Sequence, residues 1–276
     1  TEDIKKIMAE IGFNAKAACA KLSTASDDEK NDALHLMADR IDRNKEYILS
    51  ENKKDIQIAK SNSLSAAMID RLSINDLGIK NIASSMRDIA KLNDPVGREL
   101  ESWDRPNGLH IKKISIPIGV IGIIYESRPN VTADAASLCL KSGNTSILRS
   151  GSDSYFSSYA IYESIKEGLN QTSLDSNAIQ LVPSKDRDAV GLMLGGLDSS
   201  IDIIVPRGGK SLVSRVQSEA KVPVFGHLEG ICHVYVNEKA DITKAIDVTS
   251  NAKMRRTSIC GAAETLLIDK AIYKEY

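Results

Sequence analysis

Between residues 119 and 226 the chain repeats one rhythm: a short apolar run, a turn rich in Gly, Ser and charge, then a stretch with helical spacing. GVIGIIY (119–125), TSILRS (145–150), AIQLV (178–182) and IDIIVP (201–206) read as strands, and VPVFG (222–226) closes the series. The segments 130–143, 152–169, 185–194 and 210–220 read as the helices between them. Strands alternating with helices of this length are βαβ units, and these require a parallel sheet with helices on both faces. The expected fold class is therefore α/β.

The flanks of this region add a helical layer and little chemistry. The first 95 or so residues carry helical patterning: Ser26 and Glu29 fit a capping box, and Ala33, Leu34, Met37, Ile41 and Ile48 follow at helical spacing. A second helical stretch covers 75–92 and stops before Pro95. GLHIKKISIPIG (108–119) alternates apolar and polar residues as a half-exposed strand does. The last residues, TLLIDKAIYKEY, end in what reads as the first turns of a helix with no stop signal, so the fold is expected to continue past Tyr276.

Composition narrows the function class. At 276 residues the chain exceeds a typical single core and predicts two domains or one large one. A net charge of −1 and an aromatic share of 4% speak against nucleic acid and against an anionic membrane surface as partners. No run approaches the ~18 apolar residues of a membrane span. The cysteines, Cys19, Cys139, Cys232 and Cys260, are widely spaced and form no CxxC pair. That spacing predicts neither a disulfide scaffold nor a metal site, and favours a reducing, cytoplasmic compartment.

A parallel doubly wound sheet binds ligands at the carboxyl ends of its strands. The turns there are YESRPN, RSGSDS, PSKD and PRGGK. Gly and Ser with free backbone N–H groups at a helix start seat phosphate, and Arg or Lys adds charge. Neither G-x-G-x-x-G nor a Walker A motif is present, so ordinary β–α turns with Gly and Ser for geometry remain the competing reading.

Cys260 is the candidate nucleophile. It lies in a polar, Gly-flanked loop ahead of the apolar TLLI, with Arg255 and Arg256 upstream. Positive charge near an exposed thiol favours the reactive thiolate. Cys139 in ASLCLK, and Cys19 and Cys232, read as inert small apolar residues. His227 and His233 could orient a thiolate, although histidines in such strings are more often structural.

Four strings carry a resemblance: GVIGIIYESRPNVTADAASLCLKSGNTSILRSG (119–151), IVPRGGKSLV (204–213), HLEGICHVYV (227–236) and RRTSICGAAETLL (255–267). With SLSAAMIDRL (63–72) and DPVG (94–97), they resemble the γ-glutamyl phosphate reductases, a branch of the aldehyde dehydrogenases. The resemblance implies a Rossmann-like NADPH-binding domain with the N-terminal helical layer over 1–225, and the start of a truncated α/β catalytic domain over 226–276. It implies Cys260 as nucleophile, its own backbone N–H supplying half of an oxyanion hole. Ser127 falls where the wider superfamily has an oxyanion-hole Asn, with Asn130 close behind, so both are candidates for the other half. Arg149 matches the basic residue near the adenosine ribose, with Gly151 in the same turn. Pro206, Gly208 and Gly209 match the turn near the pyrophosphate. His227 stands where oxidising relatives carry a water-activating Glu, which suits an enzyme that must not hydrolyse its thioester.

The implied activity is NADPH-dependent reduction of L-glutamate 5-phosphate to the 5-semialdehyde, in proline biosynthesis. The implied full-length protein is a homo-oligomer with a functional link to glutamate 5-kinase. Four alternatives stay open: another acylating aldehyde dehydrogenase, a thiol hydrolase using Cys260 with a histidine, a cofactor-binding fragment without catalysis, and the reductase portion of a bifunctional synthase.

Overall fold

Five helices begin the chain: α1 (Glu2–Leu22), α2 (Asp27–Arg43), α3 (Lys45–Ser61), α4 (Ala66–Leu72) and α5 (Asp76–Ala90). The computed structural model describes residues 2–226, 230–255, 257 and 259–274. The capping box at Ser26 forms, with Glu29 N–H donating to Ser26 Oγ at 3.2 Å and Ser26 N–H donating to Glu29 Oε2 at 2.9 Å. Ala33, Leu34, Met37, Ala38 and Ile41 recur every three or four residues along α2 and are fully buried.

A hairpin follows, β1 (Glu99–Asp104) antiparallel to β2 (His110–Ile114). The half-exposed strand expected over 108–119 is shorter than that, and within β2 only Ile111 is even half-buried. Its alternation does not report burial because β2 pairs with β1 in a separate two-stranded ribbon rather than on the main sheet.

The βαβ series then runs β3 (Val120–Tyr125), α6 (Val131–Lys141), β4 (Thr145–Arg149), α7 (Tyr155–Leu169), β5 (Ile179–Leu181), α8 (Asp188–Leu194), β6 (Ile203–Arg207) and α9 (Lys210–Glu219). The sheet is parallel with strand order β5-β4-β3-β6. Side chains of β3 alternate between two cores. Ile121, Ile123 and Tyr125 pack with α2, α5, α6 and α7, whereas Val120 and Ile124 pack with α1 and α8. The segment 222–226 adds only one bridge, Val224 to Ile204, instead of a full strand. Pro223 inside it has no N–H to give a ladder.

The chain divides into two units, Thr1–Gly226 and His227–Tyr276. In the second, β7 (Cys232–Val236) and β8 (Ala263–Ile268) pair in parallel, joined by α10 (Ile242–Met254), whose N-terminus Asp241 caps. After β8 the expected helix is, among the described residues, a run of turns over 270–274.

Candidate active site

The order β5-β4-β3-β6 has a reversal point. The chain moves outward from β3 to β4 and β5, then crosses back to lay β6 on the other side of β3. Loops leaving β3 and β6 therefore diverge, and a crevice opens at their carboxyl ends. A cleft of about 480 Å³ lies there, lined by Glu126 and Ser127 after β3, Arg149 at the end of β4 and Gly151 beyond it, Lys185 and Arg187 before α8, and Ser211 and Arg215 on α9.

Glu126 ties the two diverging turns together. Its N–H donates to the Arg207 carbonyl at 3.1 Å, and its Oε2 accepts from Gly209 N–H at 2.9 Å. Gly209 is the N-cap of α9 and offers no side-chain cap of its own, so the Glu126 carboxylate does that work. The two turns approach each other closely at these glycines. A Cβ on Gly208 would stand 2.6 Å from Glu126 Oε2, and one on Gly151 would stand 3.2 Å from the Ser127 nitrogen. Ser127 itself has φ of 40°, the left-handed region where a non-glycine residue is strained.

Arg149 is only 7% exposed. Its Nη1 donates to the Ser150 carbonyl, and its Nη2 donates to the carbonyls of Lys185 at 3.1 Å and Asp186 at 3.4 Å. Its Nε is buried with no hydrogen-bond partner among the described residues. Burial lowers the pKa of this guanidinium, and nearby Arg187 acts in the same direction. Beside it the Lys185 ammonium sits 4.4 Å from the Phe156 ring centroid and 4.9 Å from that of Tyr155. The cleft thus holds four cationic side chains, Arg149, Lys185, Arg187 and Arg215, against the two acids Glu126 and Asp153. Beneath it Tyr125 donates or accepts a 2.7 Å hydrogen bond with Thr132 Oγ1, and burial pushes its phenol up to about 12.

In the second unit Cys260 is exposed in the loop that leads into β8. The Cys232 thiol donates to the Cys260 carbonyl at 3.3 Å, next to an irregularity in the pairing of β7 with β8. Around Gly261 there is open space. His233 Nδ1 lies 2.8 Å from the Ile231 carbonyl and so carries its proton there. Among the described residues no hydrogen bond joins a histidine to Cys260. His227 and Arg256 lie outside the described residues.

The sequence profile of the aldehyde dehydrogenase family matches residues 1–276. The chain belongs to the aldehyde dehydrogenase family. Among aldehyde dehydrogenases it is 57% identical over 272 residues to the γ-glutamyl phosphate reductase of Brucella suis biovar 1, covering 99% of this chain and 65% of the relative. It is 58% identical over 269 residues to that of Rhizobium etli, covering 98% and 63%. The chain therefore spans a little under two thirds of the length of these relatives. The crystal structure of the γ-glutamyl phosphate reductase from Thermotoga maritima matches with TM-score 0.91 and 39% identity, over 98% of this chain and 65% of that one. The Saccharomyces cerevisiae enzyme of the same name matches with TM-score 0.73 and 32% identity, over 96% and 66%. An acetylating aldehyde dehydrogenase from Geobacillus thermoglucosidasius, at 17% identity and TM-score 0.66, shares the fold.

Aldehyde dehydrogenases use a nicotinamide cofactor. The residues here fit a dinucleotide: a switch-point cleft with surplus positive charge, a buried Arg149 Nε with no hydrogen-bond partner among the described residues, and a turn at Gly208 that a side chain would fill. Ser127, Arg149 and Gly151 line that cleft, and Gly208 and Gly209 sit between its walls at Glu126 and Ser211. Pro206 is buried in β6, paired with Ile124, and does not line it. Asn130 does not line it either. Its Nδ2 donates to Asp134 Oδ2 at 2.9 Å, and it lines a second cavity between α5 and α6. Glu126, Lys185, Arg187 and Asp134 carry no motif of their own. Three of the four belong to the turn strings YESRPN and PSKD or border them, and charge in those turns was the available signal.

Proposed function

We propose that this chain forms the cofactor-binding part, with the nucleophile, of a γ-glutamyl phosphate reductase: NADPH-dependent reduction of L-glutamate 5-phosphate to L-glutamate 5-semialdehyde and phosphate. The observation that carries this reading is the cationic switch-point cleft around the buried Arg149, in a chain 57% identical to proteins of that name. On this reading residues 1–225 hold NADPH and 226–276 open the catalytic domain. Proline biosynthesis, a cytoplasmic site of action, a homo-oligomer of the full-length protein and a functional link to glutamate 5-kinase go with the same reading.

Arg149, Lys185 and Arg187 suit the 2′-phosphate that distinguishes NADPH from NADH, because charged fork and point donors gain most against a dianion. Gly208 and Gly209 at the start of α9 suit the pyrophosphate, since backbone N–H groups and the helix dipole both favour an anion there. The bound nicotinamide supplies hydride.

Cys260 attacks the acyl carbon of L-glutamate 5-phosphate as thiolate. The C–O bond to phosphate breaks, phosphate leaves, and a thioester on Sγ remains, so that one hard step becomes two. The Cys260 N–H meets the oxyanion of each tetrahedral species. Each aimed donor contributes on the order of 3 kcal/mol. His227, in place of a Glu, leaves the thioester without a strong water-activating base.

Phosphate-dependent reduction of NADP⁺ by L-glutamate 5-semialdehyde tests the reading. Turnover that needs coenzyme A instead of phosphate favours another acylating aldehyde dehydrogenase. Nucleotide binding without turnover favours a binding fragment, and thiol-dependent hydrolysis without nucleotide favours a hydrolase.

A further inference from the structure

The Lys185 ammonium rests on two aromatic faces. Lys185 is exposed on the wall of the switch-point cleft, in the turn between β5 and α8. Its Nζ sits 4.4 Å from the Phe156 ring centroid and 4.9 Å from that of Tyr155, and among the described residues no oxygen accepts a hydrogen bond from it. Both distances lie within the range over which a ring face attracts a cation. The rings engage the charge but take up none of its three N–H donors, which stay available to an anion in the cleft.

The rings are fixed from behind. Tyr155 meets Phe156 edge-on with centroids 5.7 Å apart, and stacks on Tyr159 at 6.0 Å. Both leave the first turn of α7, whose N-cap Ser154 makes no side-chain cap. Asp55 of α3, only 2% exposed, supplies one instead. Its Oδ2 accepts from Ser157 N–H at 2.7 Å and from Ser157 Oγ at 2.6 Å, and its Oδ1 accepts from Phe156 N–H at 3.2 Å. Burial raises the pKa of the Asp55 carboxyl, while these hydrogen bonds and the Lys185 charge act against that. Neither ring lines the cleft itself. A change in either therefore reaches a bound nucleotide through Lys185.

We propose that Tyr155 and Phe156 are positioning residues for cofactor choice: their faces hold the Lys185 ammonium where the 2′-phosphate of NADPH binds, and so set the preference for NADPH over NADH. The inference rests on the reading of the cleft as the NADPH site. A lysine stem loses much rotamer freedom when its ammonium meets a phosphate. Ordering it beforehand on the rings removes part of that cost, and a ligand gains from this only if it brings an anion to that place. NADH carries a hydroxyl there and gains little.

Titration of the protein with NADPH and with NADH tests this in a cycle of variants. Phe156→Leu, with Tyr155→Leu measured alongside so that one folded variant suffices, is expected to weaken NADPH about 4-fold, as for loss of one exposed cation–ring contact, and to leave NADH nearly unchanged. Phe156→Tyr keeps a face and is expected to keep the wild-type preference. In Lys185→Gln the same Phe156→Leu change is expected to cost NADPH nothing further, because the ring then has no ammonium to hold. A loss of equal size with and without Lys185, or equal losses on both nucleotides, would assign the rings to the fold and overturn the inference. A wild type that binds both nucleotides equally would overturn it as well, with the cleft still a dinucleotide site. A wild type that binds neither would overturn the reading of the cleft, and the inference with it.

Discussion

Glu126 Oε2 accepts the N–H of Gly209 at 2.9 Å, so a side chain from the β3 turn occupies the N-terminus of α9, where a pyrophosphate would draw its hydrogen bonds. The carboxylate and a diphosphate compete for one positive helix end, and like charges repel in so confined a site. Glu126→Gln keeps an acceptor for Gly209 and removes the charge. It is expected to tighten NADPH binding about 3-fold at low salt, an effect that shrinks as salt screens it. Isothermal titration at two ionic strengths checks this. Weaker binding in the variant would mean that the carboxylate organises the turn instead of opposing the ligand.

Arg149 and Lys185 divide their work in a way that mutation can separate. The Arg149 guanidinium is spent largely on the carbonyls of Ser150, Lys185 and Asp186, so it holds the β5–α8 loop as well as facing the cleft. Arg149→Ala is expected to weaken NADPH more than NADH and to lower the melting temperature, because the carbonyls of Ser150, Lys185 and Asp186 lose this donor. Lys185→Gln leaves those carbonyl contacts in place. It is expected to weaken NADPH about 10-fold, with a much smaller change for NADH and for the melting temperature. Equal effects of Arg149→Ala on both nucleotides would assign Arg149 to the fold.

The cysteines should rank by exposure. Cys260 is exposed, Cys19 and Cys232 are intermediate, and Cys139 is buried with its thiol pushed up to about 12. Brief iodoacetamide treatment of the folded protein followed by peptide mapping is expected to label Cys260 first and Cys139 last. Earlier labelling of Cys232 would contradict the choice of nucleophile.

Asp134 carries a pH signature. Its folded pKa is raised above the ordinary value of 3.8 by burial. The stabilising contribution of such a group is complete below the unfolded pKa and is lost as pH rises through the raised folded value. At pH 7 the ionised carboxylate therefore opposes folding. Asp134→Asn is expected to raise the melting temperature at pH 7 and to leave it nearly unchanged at pH 3. A lower melting temperature at pH 7 would show that the Asn130 contact outweighs the desolvation of the charge.

Much of this architecture is legible in the sequence for local reasons. The apolar run 120–125 is wholly buried because a strand between two helical layers has no polar face to show, and Ser26 with Glu29 closes a helix end through contacts three residues apart. The failures are non-local. Alternation at 108–119 implied a face on the core, but β2 pairs only with β1, a fact that resides in the partner. The segment 222–226 looks like a strand yet contains Pro223, which limits it to one bridge. Arg149 was recognisable as cationic, whereas the three carbonyls that hold it come from residues up to 37 positions away. Asp134 could not be singled out at all, because that no cation pairs with it among the described residues is a fact of the packed structure.

The most direct test of the account is a burst experiment on the protein with L-glutamate 5-semialdehyde and NADP⁺. Without phosphate, wild type is expected to form NADPH rapidly in an amount equal to its active sites and then stall, with the acyl group found on Cys260 by mass spectrometry. Added phosphate should release steady turnover. Cys260→Ser should still bind NADP⁺ but give no burst. A burst in Cys260→Ser, or full turnover by wild type without phosphate, would contradict a protected thioester on Cys260.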